Sequence, residues 1–204
     1  MATAKRSRLT VDERREQLVR LGVDIFSERP YDEVSIDGIA AAGGISKGLL
    51  YHYFPSKRDF YVAVVRHGAA QLEAATVIDE AASPEDGFVA GLDRYLDYVE
   101  EHASGFAAVL GAGIGNDPAV RAIVDDVRRA MTDRILDNLA RRVEPPVPPT
   151  PQVRVAVRGW VGFAEAASLD WLEHREVSRE QLRDLLASTL VAAVTAAVVD
   201  VVAT

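Results

Sequence analysis

The chain has 204 residues, enough for one medium domain or two small ones, and its 49% apolar content supports a packed core and excludes a disordered chain. Cysteine is absent, which excludes disulfides and cysteine-ligated metal and fits a reducing cytoplasm. The net charge of −8 argues against a nucleic-acid partner until its distribution is read: residues 1–60 hold ten Lys/Arg against nine Asp/Glu, and the remainder 13 against 22. A small basic face in the first part can neutralise phosphates while the acidic remainder is held away from them.

Residues 1–16, MATAKRSRLTVDERRE, contain no apolar run, so no signal peptide is expected. Lys5, Arg6 and Arg8 are either a solvated tail or an arm that reaches DNA backbone or minor groove. Thr10 and Glu13 form a capping box for a first helix whose apolar face is Leu18, Leu21, Ile25 and Phe26. That helix ends near Arg29-Pro30, and a short loop from Tyr31 leads to Ser35.

Ser35 is placed as the N-cap of a second helix, with Ile39 and a necessarily small Ala40 on its buried face. Gly43 and Gly44 supply a turn in which Gly44 takes positive φ. Ser46 caps a third helix with Ile45, Leu50 and Phe54 inward. Pro55 stops it, and Ser56 with Asp59 starts the next. Two short helices joined by a glycine turn make a helix-turn-helix. The outer face of the second carries Lys47, Gly48, Leu49, Tyr51 and His52: a cation, a bare backbone, an apolar contact for a thymine methyl, and flat polar rings.

The run GISKGLLYHYFPSKRDFY, with Ile39-Ala40 before it, resembles the signature of the tetracycline-repressor family of bacterial transcription regulators. The resemblance covers roughly residues 11–70. Beyond that it holds in helical layout only. Leu49 departs from it, standing where many members carry a small polar residue. The resemblance implies DNA-contacting roles for Ser35, Ser46, Lys47, Gly48, Leu49, Tyr51, His52, Tyr53 and Lys57, with Lys57 a phosphate contact only.

A longer helix is expected from Lys57 to about Asp79, with Phe60, Tyr61, Val64 and Val65 packing back on the helix-turn-helix. Ser83-Pro84-Glu85-Asp86 starts another, carrying Phe88, Leu92, Tyr95, Leu96 and Val99. A short helix from Ser104 to Leu110 runs into the glycines of 111–115. This cluster is not a dinucleotide fingerprint, because no strand precedes it and Asn116 stands where the last glycine belongs. Asp117-Pro118 opens a helix with the stripe Val120, Ile123, Val124, Val127, Met131, Ile135 and Leu139. Five prolines within residues 144–152 make a stiff linker. Thr150-Pro151 begins a helix to about Arg175, and Ser178 with Gln181 caps a last one to about Val202. Arg128, Arg129, Arg141 and Arg142 are expected on a solvated face.

The pattern therefore predicts an all-α chain of about nine helices. A three-helix DNA-binding domain over 1–57 precedes a larger helical domain for ligand binding and dimerisation over 58–204. The apolar stretch from Leu185 to Val199 is interrupted by Ser188, Thr189 and Thr195 and is short for a membrane span. The last helix is apolar nearly all round and needs cover on more than one side, which a second copy of the last helix pair would supply. The residues expected in that dimer interface are Trp171, Leu182, Leu186, Leu190, Ala193 and Ala197. Phe88, Leu92, Tyr95, Phe106, Met131, Trp160 and Phe163 either line an effector pocket or simply fill the core. Glu165, an acid between apolar neighbours, faces the pocket or pairs with an arginine across the interface.

The leading functional reading is a cytoplasmic, homodimeric regulator, most simply a repressor. It binds a palindromic double-stranded operator and is released by a small apolar or amphipathic effector. The alternative is a helical binding protein or enzyme in which the helix-turn-helix is structural. His52, His67, His102 and His174 lack metal-ligand spacing, and neither a nucleophile elbow nor HExxH occurs, so neither a metal, a cofactor nor catalysis is expected.

Overall fold

The computed structural model describes residues 10–77, 81–111 and 117–202, the side chains of 199–202 excepted. The described residues form nine α-helices and no strand. They are α1 (Val11–Glu28), α2 (Ile36–Ala42), α3 (Lys47–Tyr53), α4 (Lys57–Ala75), α5 (Pro84–Glu101), α6 (Ala103–Leu110), α7 (Pro118–Arg141), α8 (Pro151–His174) and α9 (Arg179–Val202). A single 3-10 turn, Tyr31–Glu33, lies in the loop after α1. The expected basic arm, and most of the glycine cluster, fall outside the described residues.

The capping chemistry sets most of these boundaries. Thr10 and Glu13 exchange both bonds of the capping box, with Thr10 N–H donating to Glu13 Oε2 at 2.7 Å. Ser35, Ser46, Ser83 and Thr150 each accept a backbone N–H from the first turn of α2, α3, α5 and α8. Proline opens α5, α7 and α8, where its missing N–H leaves nothing unpaired. Helix α4 ends at Ala75, four residues short of its expected end. There Thr76 Oγ1 donates back to Leu72 O, while Arg94 donates to Ala75 O and Val77 O, so side chains satisfy the last carbonyls. Helix α8 ends in the left-handed Arg175 at φ 53°, whose guanidinium stacks 4.0 Å from the Trp171 ring centroid.

The chain divides into two compact units, Met1–Gly68 and Ala69–Thr204. The division falls inside α4, not at the expected residue 57, because Phe60, Tyr61, Val64 and Val65 are core residues of the first unit. In that unit Phe26 packs edge-on to Tyr61 at 4.8 Å, and Phe54 edge-on to Phe60 at 4.9 Å. Val19 and Gly22 also lie inward, beyond the expected face of α1, whereas Ile45 is only half-buried. Gly22 is where α1 meets α4. An added Cβ there would lie 2.4 Å from Val64 Cγ2 and 2.7 Å from Phe60 Cζ.

The second unit has one core, built from α5, α7, α8 and α9 around Leu96, Val99, Leu136, Val157 and Leu186. Three of its inward-facing polar side chains are paired. Trp160 Nε1 donates to Leu186 O at 2.9 Å, Trp171 Nε1 to Val177 O at 3.0 Å, and the Tyr95 hydroxyl meets Ser168 Oγ at 3.1 Å. At one end of α9, Arg179 bonds to Asp93 and Asp97 of α5, and Arg175 bonds to Glu100.

Candidate functional site

In the first unit the turn between α2 and α3 forms as its residues require. Gly44 takes φ 60°, and Ile45 N–H closes the turn onto Ala40 O at 3.0 Å. Ala40 is 4% exposed and Ile39 is fully buried, so the two short helices pack closely enough to fix each other's direction. Leu50 anchors α3 from below. Ser46, Lys47, Gly48, Leu49, Tyr51 and His52 are exposed, and Tyr53 is half-buried with its ring 5.5 Å from that of His52. A Cβ on Gly48 would meet nothing within 4 Å, so this glycine is not demanded by the fold.

Lys47 is not free. Its ammonium donates to Asp37 Oδ2 at 2.9 Å, and that bond raises its pKa above the ordinary lysine value. Asp37 reads in the sequence only as a first-turn acid of α2. Its meeting with Lys47 depends on how the two helices cross, which no spacing rule gives.

Lys57, expected as a phosphate contact only, also has partners inside its own unit. Its ammonium donates to Tyr31 O at 2.8 Å and Val34 O at 3.0 Å, and it lies 4.1 Å from the Tyr31 ring centroid. It fastens α4 to the loop before α2. Ser35 and Ser46 act as helix caps, at 3.0 Å to Gly38 N and 3.2 Å to Leu49 N.

In the second unit a cavity of about 90 Å³ lies between α5, α7 and α8. Seven of the eight expected pocket residues line it: Phe88, Leu92, Tyr95, Phe106, Met131, Trp160 and Glu165. Phe163 does not. It is 39% exposed and points away from the unit, because α8 gives Trp160 and Ala164 to the inside and Phe163 to the outside. Thr76, Gly91 and Arg134 also line the cavity and were not expected there. Apolar periodicity is the signal used to find core faces, and none of the three carries it.

Glu165 borders the cavity and pairs with Arg128 of its own chain. Arg128 Nε donates to Oε1 at 2.9 Å and Nη2 to Oε2 at 2.7 Å. This overturns both the solvated face expected for Arg128 and the pairing of Glu165 across an interface. The bonds to Glu165 raise the Arg128 pKa further. Tyr95 is also pushed upward, chiefly by burial.

The expected dimer residues need a second correction. Trp171, Leu182, Leu186 and Leu190 are 0–5% exposed within the single chain, so they form its core. Ala193 and Ala197 are half-buried. On α8 and α9 the large apolar side chains left outside are Val155 and Phe163, and Leu185 and Val191, at 72%, 39%, 48% and 65% exposure.

Residues 18–64 match the family model for bacterial regulatory proteins of the tetR family, and residues 84–193 match the model for the tetracyclin repressor-like C-terminal domain. The chain belongs to the tetracycline-repressor family. It is similar to the HTH-type transcriptional activator FasR of Mycolicibacterium smegmatis, with 28% identity over 66% of this chain and 63% of that one. It is also similar to the transcriptional regulator AcuR of Cereibacter sphaeroides, with 31% identity over 62% of this chain and 58% of that one. The chain thus spans about three fifths of the length of each. A solved tetR-family transcriptional regulator from Streptomyces coelicolor superposes with a TM-score of 0.83 at 35% identity, covering 93% of this chain and 83% of that one. Members of the tetracycline-repressor family are transcription regulators and not enzymes, which sets aside the reading of this chain as a helical enzyme.

Proposed function

We propose that the chain is a cytoplasmic homodimeric repressor that docks α3 of each copy in adjacent major grooves of a two-fold operator. In this reading a small apolar or amphipathic effector, taken up by the cavity of the second unit, releases it. The observation that carries the DNA reading is the outer face of α3. It holds a cation, a bare glycine, an aliphatic side chain and two polar rings on a helix fixed from below by Leu50. Repression is proposed as the family's usual role, and FasR, named an activator, shows that the sign is not given by membership.

Dimerisation is supported by α9. Arg179–Val198 is long and apolar enough to cross a membrane by composition, unlike the shorter stretch considered from the sequence, yet Leu182, Leu186, Leu190 and Val194 face the core of their own unit. Of its most apolar 18-residue window only 22% is buried. A second copy laying its own α8 and α9 over Val155, Phe163, Leu185 and Val191 would cover that face. Gly159 and Gly162 lie on the same side of α8, with open space where a side chain would stand.

Selection from a random duplex library, then mobility shift with the selected DNA and with DNA upstream of the gene, tests the proposal. Lys47→Ala should lower specific affinity by about 1–3 kcal/mol. Gly48→Val should abolish it with the fold intact, since the added atoms meet only the duplex. Wild-type affinity in Gly48→Val would show that α3 does not dock this way.

A further inference from the structure

We propose that the cavity between α5, α7 and α8 takes a short alkyl carboxylate, its two oxygens gripped by the unspent edge of Arg134 and its chain lying among apolar and aromatic side chains. This deepens the reading of the cavity as the effector site and rests on it.

Arg134 lines the cavity and is half-buried. It spends one nitrogen on its own chain. Nη1 donates to Thr76 Oγ1 at 2.8 Å, Thr76 O at 2.9 Å and Glu73 O at 3.3 Å, where α4 ends. Those bonds hold the guanidinium in place. Among the described residues no acid pairs with it, and neither Nε nor Nη2 has a hydrogen-bond partner. Nε–H and one N–H of Nη2 leave the same edge of the planar group side by side, the arrangement that matches the two oxygens of a carboxylate. A held edge can make two charge-assisted bonds with little further ordering. The other polar groups in the wall offer a guest less. Glu165 takes three hydrogen bonds from Arg128 at 2.7–3.0 Å, so an ammonium would have to displace that arginine. The Tyr95 hydroxyl meets Ser168, and the Trp160 N–H goes to Leu186 O. Phe88, Leu92, Phe106 and Met131 supply apolar surface for the chain of the guest. At about 90 Å³ the cavity is smaller than the roughly 150 Å³ void that takes benzene, so a body of a few carbons fits it better than a ring.

Three probes of one chain length separate the cases: pentanoate, pentanamide and pentan-1-amine, at equal ionic strength and about pH 7, where the acid and the amine are both ionised. Binding is read by the rise in Tm and by Trp fluorescence, with Trp160 in the wall. Pentanoate should bind at least about tenfold more tightly than the amide or the amine. Arg134→Met should remove that preference and leave the affinity for the amide nearly unchanged. Arg134→Lys keeps the charge and an anchor for the end of α4 but lacks the fork, and should fall between the two. Should Arg134→Met not fold, Arg134→Lys decides, through a loss of affinity for pentanoate and not for the amide. Gly91→Leu should abolish pentanoate binding. Gly91 lines the cavity, and a Cβ there meets only Arg94 Nη2, at 4.0 Å, so the new side chain has room to enter. The unfolding midpoint without probe reports that the variant is folded. Equal or tighter binding of the amide or the amine, or a preference for pentanoate that survives the loss of Arg134, would overturn the inference and leave the cavity as the effector site. Pentanoate binding unchanged in Gly91→Leu, or failure of all three probes to bind, would overturn both.

Discussion

The two units bury their apolar residues differently. The first closes on itself: Phe26, Phe54, Phe60 and Tyr61 form one aromatic cluster, and α3, the element proposed to act, is held beneath by Leu50 and polar or small on most of its outer face. The second is unfinished as a single chain. It leaves a cavity between α5, α7 and α8, and an uncovered apolar strip along α8 and α9. A small reading head can be complete alone because its task is on its surface. On the proposed reading, the second unit keeps one space for a guest and one face for a copy.

Substitutions should divide along that line. Leu186→Ala removes a fully buried side chain from the second core and should cost about 2–5 kcal/mol in urea unfolding. Gly22→Val should cost about 3 kcal/mol in the first unit, because Val64 and Phe60 already occupy the space, and a loss below about 1 kcal/mol would show that α1 and α4 can move apart. Lys57→Ala should cost about 2 kcal/mol through the two carbonyls it releases, while the salt dependence of DNA binding stays unchanged. A shallower salt slope would restore Lys57 as a phosphate contact.

Alkaline pH gives a smaller effect in both units. Burial pushes Tyr61 and Tyr98 up to about 12, with Tyr31 and Glu101 adding to the shifts. Below the unfolded tyrosine value of about 10, both states carry neutral phenols and the stabilisation is complete. Between there and about 12 the unfolded chain ionises first, so stability falls as pH rises. Tyr61→Phe and Tyr98→Phe should each flatten that fall in pH-dependent thermal unfolding.

Local chemistry made much of the fold legible. Caps at Thr10, Ser35, Ser46, Ser83 and Thr150, and prolines at 84, 118 and 151, mark where helices begin, and Gly44 marks the turn. The outer face of α3 was legible for the same reason, since Leu50 alone fixes which side is inward. Faces of the long helices were harder to read. Where α9 is apolar all round, periodicity cannot separate Leu186, which is fully buried, from Leu185, which is 48% exposed. Phe163 was misplaced for the same cause, as α8 is apolar or small on both sides. Contacts between helices far apart in the chain, such as Arg128 with Glu165 or Lys57 with Tyr31 O, depend on packing that a single sequence does not display.

The most direct test is the mass of the protein in solution by light scattering at micromolar concentration. The wild-type protein should weigh twice its chain mass of 22.1 kDa. Val191→Asp, which sets a charge on the exposed strip without touching the core, should fall to the single mass with its unfolding free energy per chain little changed. A wild-type mass of 22.1 kDa would mean that α9 stays uncovered in solution, and would contradict the paired reading of an operator.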